Sequence, residues 1–298
     1  MKNFLFYTFL FLVSCSGELK TLPSSTGLLS EIIFVVEDAL WEQEISPLVL
    51  QTFGAPIQGI NQIEASYRII QINYSEFKSL LKTHKNIVLI AANITESSQK
   101  NKWAKDQLAF QLNWSKNITA TLEKFKKVKS IFEINEIQKI KLSILKTSNK
   151  KATNNIKENF NIDVIIPNEY LVNMDTSSLF WATYNPQKME EIKHLFVFSF
   201  KPSTANLQEE VLQKTDSIFS YYLLGSPKDS YVKIEPLYLP LFNDNIYRGL
   251  WKLENGFMGG PFLIKTYFID NKVIVTVGLI FAPQSRKRNY IKTLEAIL

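Results

Sequence analysis

Three apolar, β-branched runs at residues 247–253, 261–269 and 273–281 are separated only by short breaks containing Asn255-Gly256 and Asp270-Asn271. Asn, Asp and Gly accept positive φ cheaply, so both breaks read as hairpin turns. Runs joined this way have little choice but to pair as an antiparallel meander. Residues 286–298 continue at helical spacing and close it as a terminal helix.

Upstream, residues 31–37 form a short apolar run between acidic ends, the pattern of a buried strand. Asp38 can cap a helix that Ser46-Pro47 restarts toward Phe53, with Pro at the first helical position. Residues 54–66 are a loop by their Gly and Pro content. Residues 67–72 and 87–92 read as strands flanking a short helix over 75–82. From 97 to 160 the apolar spacing is three to four and predicts a helical middle. Strands are expected again at 162–166, 179–184 and 195–200, then a helix over 206–222 and a further segment at 231–239. The fold class is therefore α+β: a mixed or antiparallel sheet with a helical middle segment, a C-terminal three-stranded meander and a terminal helix. Residues 31–298 are expected to be a single domain, with sub-lobes of about 31–130 and 131–298.

At 298 residues and 46% hydrophobic, the chain can bury a proper core, and 13% aromatic residues argue against disorder. The formal charge is +6, but only four of 34 basic residues are Arg. Nucleic-acid sites recruit Arg for its bidentate fork, so no nucleic-acid partner is expected. The lysines of residues 116–151 suit a solvated helix face.

One cysteine allows no intramolecular disulfide and no Cys-rich metal site. Its position suggests another use. Met1-Lys2 begins a charged n-region, residues 4–13 are apolar but too short to span a bilayer, and Leu12-Val13-Ser14-Cys15 follows. This resembles a bacterial lipobox: residues 1–14 are then a lipoprotein signal peptide, Cys15 the lipid-attachment site and residues 15–30 a flexible tether. Serine after the cysteine and a single nearby acid, Glu18, point to the outer membrane with a periplasm-facing domain.

No Gly-x-Ser-x-Gly, Gly-x-Gly-x-x-Gly, phosphate-binding loop or His-Glu-x-x-His occurs. Neither His84 nor His194 has companions at metal-ligand spacing. No cofactor, metal or catalytic residue is assigned. The segment from Arg248 to Phe262 stands apart: Arg248, Trp251 and Met258 are residue types rich in binding hot spots, and Gly259, Gly260 and Pro261 permit close backbone approach or a bulge. These form the candidate binding face. The same residues also suit a hairpin whose Trp and Met fill the core.

Lys82-Thr-His-Lys-Asn-Ile87, Lys102-Trp-Ala-Lys-Asp-Gln107, Gly225-Ser-Pro-Lys-Asp-Ser-Tyr231, the Arg248–Phe262 block and the ending from Phe281-Ala-Pro to Ile297 together resemble a family of uncharacterised lipoproteins from Bacteroidetes-type bacteria. The family usually places Arg-Asp where this chain has Lys214-Thr-Asp216, and Arg where it has Lys85. The resemblance implies an envelope lipoprotein and brings no activity. The expected function is a membrane-tethered, non-enzymatic binding or structural component of the bacterial cell envelope, held by its N-terminal lipid and engaging an envelope protein or polymer. The alternative is an envelope-polymer hydrolase or transferase using paired carboxylates such as Glu254 and Asp270.

Overall fold

The computed structural model describes residues 21–298; the signal segment and Cys15 lie outside the described residues. Within the expected tether Ser24 and Thr26 bridge to Lys105 and His84 and Ser30 is buried, so residues 24–30 are docked on the fold rather than a flexible tether. Two sheets organise the chain. The first has five strands in the order β2-β1-β3-β5-β4. Here β1 is Glu31–Val35, β2 Arg68–Ile72, β3 Asn86–Ala91, β4 Ser97–Lys100 and β5 Leu108–Asn113. All pairs are parallel except the β4 edge, which runs antiparallel to β5. Parallel strands are covered on both faces, which is why β1 and β3 read as continuous apolar runs. One face carries α1 (Asp38–Leu40), a π-turn (Trp41–Ile45), α2 (Ser46–Thr52) and the long α3 (Ile118–Lys146). Phe34, Phe53, Phe125 and Phe132 interlock there. Phe77 and Trp103 pack on the other face.

The second sheet has eight strands: β6 (Leu171–Asp175), β7 (Leu179–Tyr184), β8 (Ile192–Phe200), β9 (Tyr231–Ile234), β10 (Leu241–Asn243), β11 (Ile246–Glu254), β12 (Gly259–Ile269) and β13 (Lys272–Phe281). The order is β10-β11-β12-β13-β8-β7-β6, with β9 also pairing β11, and every pair is antiparallel. The expected meander is β11–β13. Asp270 and Asn271 both take positive φ in its second turn, and Asn255 does so in its first. On one face lie α4 (Lys150–Phe160) and α6 (Arg288–Ile297), through Ile156, Phe160, Leu294 and Ile297; on the other lies α5 (Leu207–Tyr222), through Val211 and Phe219. Asn117, Asn149 and Asn206 each accept a backbone N–H at the start of α3, α4 and α5.

The α+β class expected from sequence is what the structure has; three further local expectations differ. Residues 97–113 form β4 and β5 rather than helix, because β5 buries both faces and its apolar residues carry no clean alternation. Residues 75–82 hold a turn and the single 3₁₀ turn Ser79–Thr83. Ile162, Val164, Ile165 and Ile166 are buried but join neither sheet: Ile165 donates to the Ile297 carbonyl, and the Ile166 carbonyl accepts from Asn149. The segment satisfies its backbone at helix ends instead of in a ladder.

The two sheets meet where α3 crosses α6. Glu136 on α3 is 2% exposed and accepts from Ser30 N, Asn86 Nδ2 and the Lys292 ammonium of α6. Lys292 also lies 4.2 Å over the Tyr67 ring. Glu64, in the loop before β2, accepts the backbone N–H groups of Lys287 and Arg288 at 2.6 and 3.0 Å, so a carboxylate from the first half sits at the N-terminus of α6.

Candidate functional site

Side chains alternate along β11, and this divides the block singled out in the sequence. Tyr247, Trp251 and Leu253 face α5, whereas Arg248 faces α6, where its guanidinium donates to Glu295 at 2.7 Å. Arg248 and Trp251 therefore do not share a binding face. Two residues on one strand project to the same side only at even spacing, and these stand three apart. Trp251 is 4% exposed, and its indole N–H donates to the Ile280 carbonyl at 3.1 Å. To reach β13 the indole crosses β12 at Gly260. A Cβ there would stand 2.1 Å from the Ile280 carbonyl oxygen and 3.3 Å from the indole nitrogen. Gly259 and Pro261 pair opposite Lys252 and Leu250, and Pro261 is buried within the sheet. Met258 is half-buried at the end of the hairpin loop, and Phe257 beside it is fully exposed.

Trp251 and Met258 border a cavity of about 750 Å³ between the sheet and the C-terminal end of α5. Its floor comes from β7, β8, β11 and β13: Trp181, Thr183, His194, Trp251, Leu253 and Leu279. Trp181 stacks on Phe196 with centroids 5.6 Å apart, and Tyr222 of α5 closes on Trp181 at 5.7 Å. A polar chain crosses the apolar floor. Asn173 Nδ2 donates to Thr183 Oγ1 at 2.6 Å, Thr183 Oγ1 lies 3.0 Å from His194 Nδ1, and the Trp181 indole N–H donates to the same nitrogen at 3.3 Å. With Nδ1 accepting, the neutral ring carries its proton on Nε2. Burial pushes the His194 pKa down to about 4, so the ring is neutral at physiological pH. A volume of this size, mostly apolar with a few converging polar groups, has the character of a ligand pocket.

The sequence pointed to Trp251 and Met258 but missed Trp181, Thr183 and His194. Thr183 and His194 are cross-strand partners in the β7–β8 register. Nothing in a single sequence carries that pairing, and His194 stood one residue before the expected strand.

Glu254 and Asp270 fall at opposite ends of β12, whose 11 residues separate them by roughly 35 Å. They make no acid–base pair with each other. Lys233 and Lys252 hold the Glu254 carboxyl below its ordinary range, at 2.8 and 3.2 Å. Among the described residues no three His, Cys, Asp or Glu gather as a metal site, and no helix is long and apolar enough to cross a membrane.

Residues 148–298 match the family model described as Domain of unknown function (DUF4837), and residues 25–148 match that of Domain of unknown function (DUF8532). No curated protein matches the chain. Among solved structures, the human StarD13 (DLC2) lipid transfer and protein localization domain is similar at 9% identity, over 43% of this chain and 86% of that one, with a TM-score of 0.19. That likeness is too slight to carry an argument.

Proposed function

We propose, from the premise that the chain belongs to the family described as Domain of unknown function (DUF4837), that it is a lipid-tethered, non-enzymatic binding component of the bacterial cell envelope. The tether reading rests on the lipobox resemblance at Leu12-Val13-Ser14-Cys15, with an outer-membrane, periplasm-facing address following from Ser16 and Glu18. The binding reading rests on one observation: the open apolar cavity beside Trp251, with Met258 at its edge and Phe257 projecting from the adjoining loop.

Trp251 itself is a poor probe of binding, because truncating so buried an aromatic costs about 3–5 kcal/mol of stability. Phe257 and Met258 are better suited. Crosslinking in intact cells followed by affinity capture should retain an envelope component on the wild type and lose it on a folded Phe257→Ser/Met258→Ser variant. Equal capture by both chains would place binding elsewhere. Radiolabelled palmitate should enter the wild type and not Cys15→Ala; equal incorporation would remove the tether.

A further inference from the structure

The cavity says something about the chemistry of what enters it. Twelve of its lining residues are apolar, and Glu169, exposed at the mouth, is the only Asp, Glu, Lys or Arg among the described residues that line it. No Lys or Arg among the described residues lines it. A phosphate or carboxylate inside would be desolvated with no cation to balance it, which costs several kcal/mol. A wholly apolar guest would leave the polar floor unanswered. Because Trp181 and Thr183 both engage Nδ1 of His194, its Nε2–H is a donor with no protein partner among the described residues. Burial holds this ring neutral, so what it offers is a hydrogen bond and not a charge.

The mouth has a matching character. Leu171, Tyr221 and Leu224 are 71, 73 and 74% exposed, and Leu171 and Leu224 line the opening itself. Exposed apolar side chains around an apolar cavity suit a guest that slides in from an apolar phase.

We propose that the cavity between α5 and the floor formed by β7, β8, β11 and β13 binds a single-chain amphiphile with an uncharged head whose oxygen accepts from His194 Nε2–H, as in a monoacylglycerol or a fatty alcohol. This rests on the binding reading above and names the class of component bound.

The test uses the full chain carrying Cys15→Ala, which removes the proposed lipid-attachment site. It is titrated with a monoacylglycerol brominated along its chain. Bromine quenches indole emission on contact; Trp181 and Trp251 line the cavity, while Trp41, Trp103 and Trp114 belong to the first sheet's half. The expected result is saturable quenching of part of the emission. It should weaken at least tenfold in His194→Phe, which removes the donor, and in Ile192→Phe, which fills space at the wall. Both variants are to be matched to the parent by circular dichroism and denaturation midpoint. Absence of saturable quenching in the folded parent chain would overturn the proposal, as would unchanged affinity in both variants. Equal or tighter binding of a brominated fatty acid or lysophosphatidic acid would overturn the uncharged head. These outcomes are independent of the capture experiment: a negative titration leaves a protein or polymer partner in place, whereas a negative capture with a positive titration leaves the cavity assignment standing.

Discussion

Gly260 shows how narrowly a single position can be specified. A methyl group there meets the Ile280 carbonyl at 2.1 Å and disturbs the path by which the Trp251 indole reaches that same oxygen. Gly260→Ala should therefore lower stability by about 2 kcal/mol through overpacking, read as a lower urea midpoint, whereas Gly259→Ala, whose nearest contact is at 3.0 Å, should cost less. His194 makes a different kind of prediction. Its folded pKa of about 4 lies below the ordinary value of 6.5, so between those pH values the unfolded chain binds the extra proton. The stability held by neutral His194 is full above pH 6.5 and is lost as pH falls toward 4. In His194→Gln the drop in urea midpoint between pH 7 and pH 4.5 should be smaller than in the wild type; an equal drop would mean that other groups carry it. The two residues also mark how far the site could be read in advance. Gly260 lay within a block conspicuous in the sequence, while His194 acquires its role only from Thr183 across a strand pair.

At the scale of elements, turns were more legible than middles. Asp270-Asn271 carries its conformation in its own residue types, so the β12–β13 hairpin could be located directly. β4, with the sequence Ser-Ser-Gln-Lys, has no apolar residue to alternate, and its strand character comes from pairing with β5. The run at 162–166 failed in the opposite sense: its apolar residues are buried as expected, but helix ends took its hydrogen bonds. The start of α6 likewise depends on a distant residue. Glu64→Ala should cost about 1–2 kcal/mol, since it removes the carboxylate that accepts two first-turn N–H groups. Amide exchange at Lys287 and Arg288 should accelerate in that variant.

For the whole molecule, the Glu136–Lys292 pair ties the two sheets together. Lys292→Met leaves a buried carboxylate without its cation and should cost about 3–5 kcal/mol. Adding Glu136→Gln, which keeps an oxygen for Ser30 and Asn86, should restore much of that loss in thermal denaturation. A single variant no worse than the double would show that the pair contributes little to coupling. The first sheet is complete by Asn113 and the second starts at Leu171, with α3 and α4 between them. The precise docking of α3 on α6 was not foreshadowed, because contacts between residues 136 and 292 leave no local pattern. One consequence reaches past stability. β11 turns Trp251 and Leu253 into the cavity and, from the opposite face of the strand, Arg248 toward Glu295 of α6. A saturation mutagenesis profile along 248–253, scored for ligand retention among variants that keep the parent's denaturation midpoint, should thus separate into a cavity-facing and an α6-facing track. A single-residue deletion there would exchange the tracks.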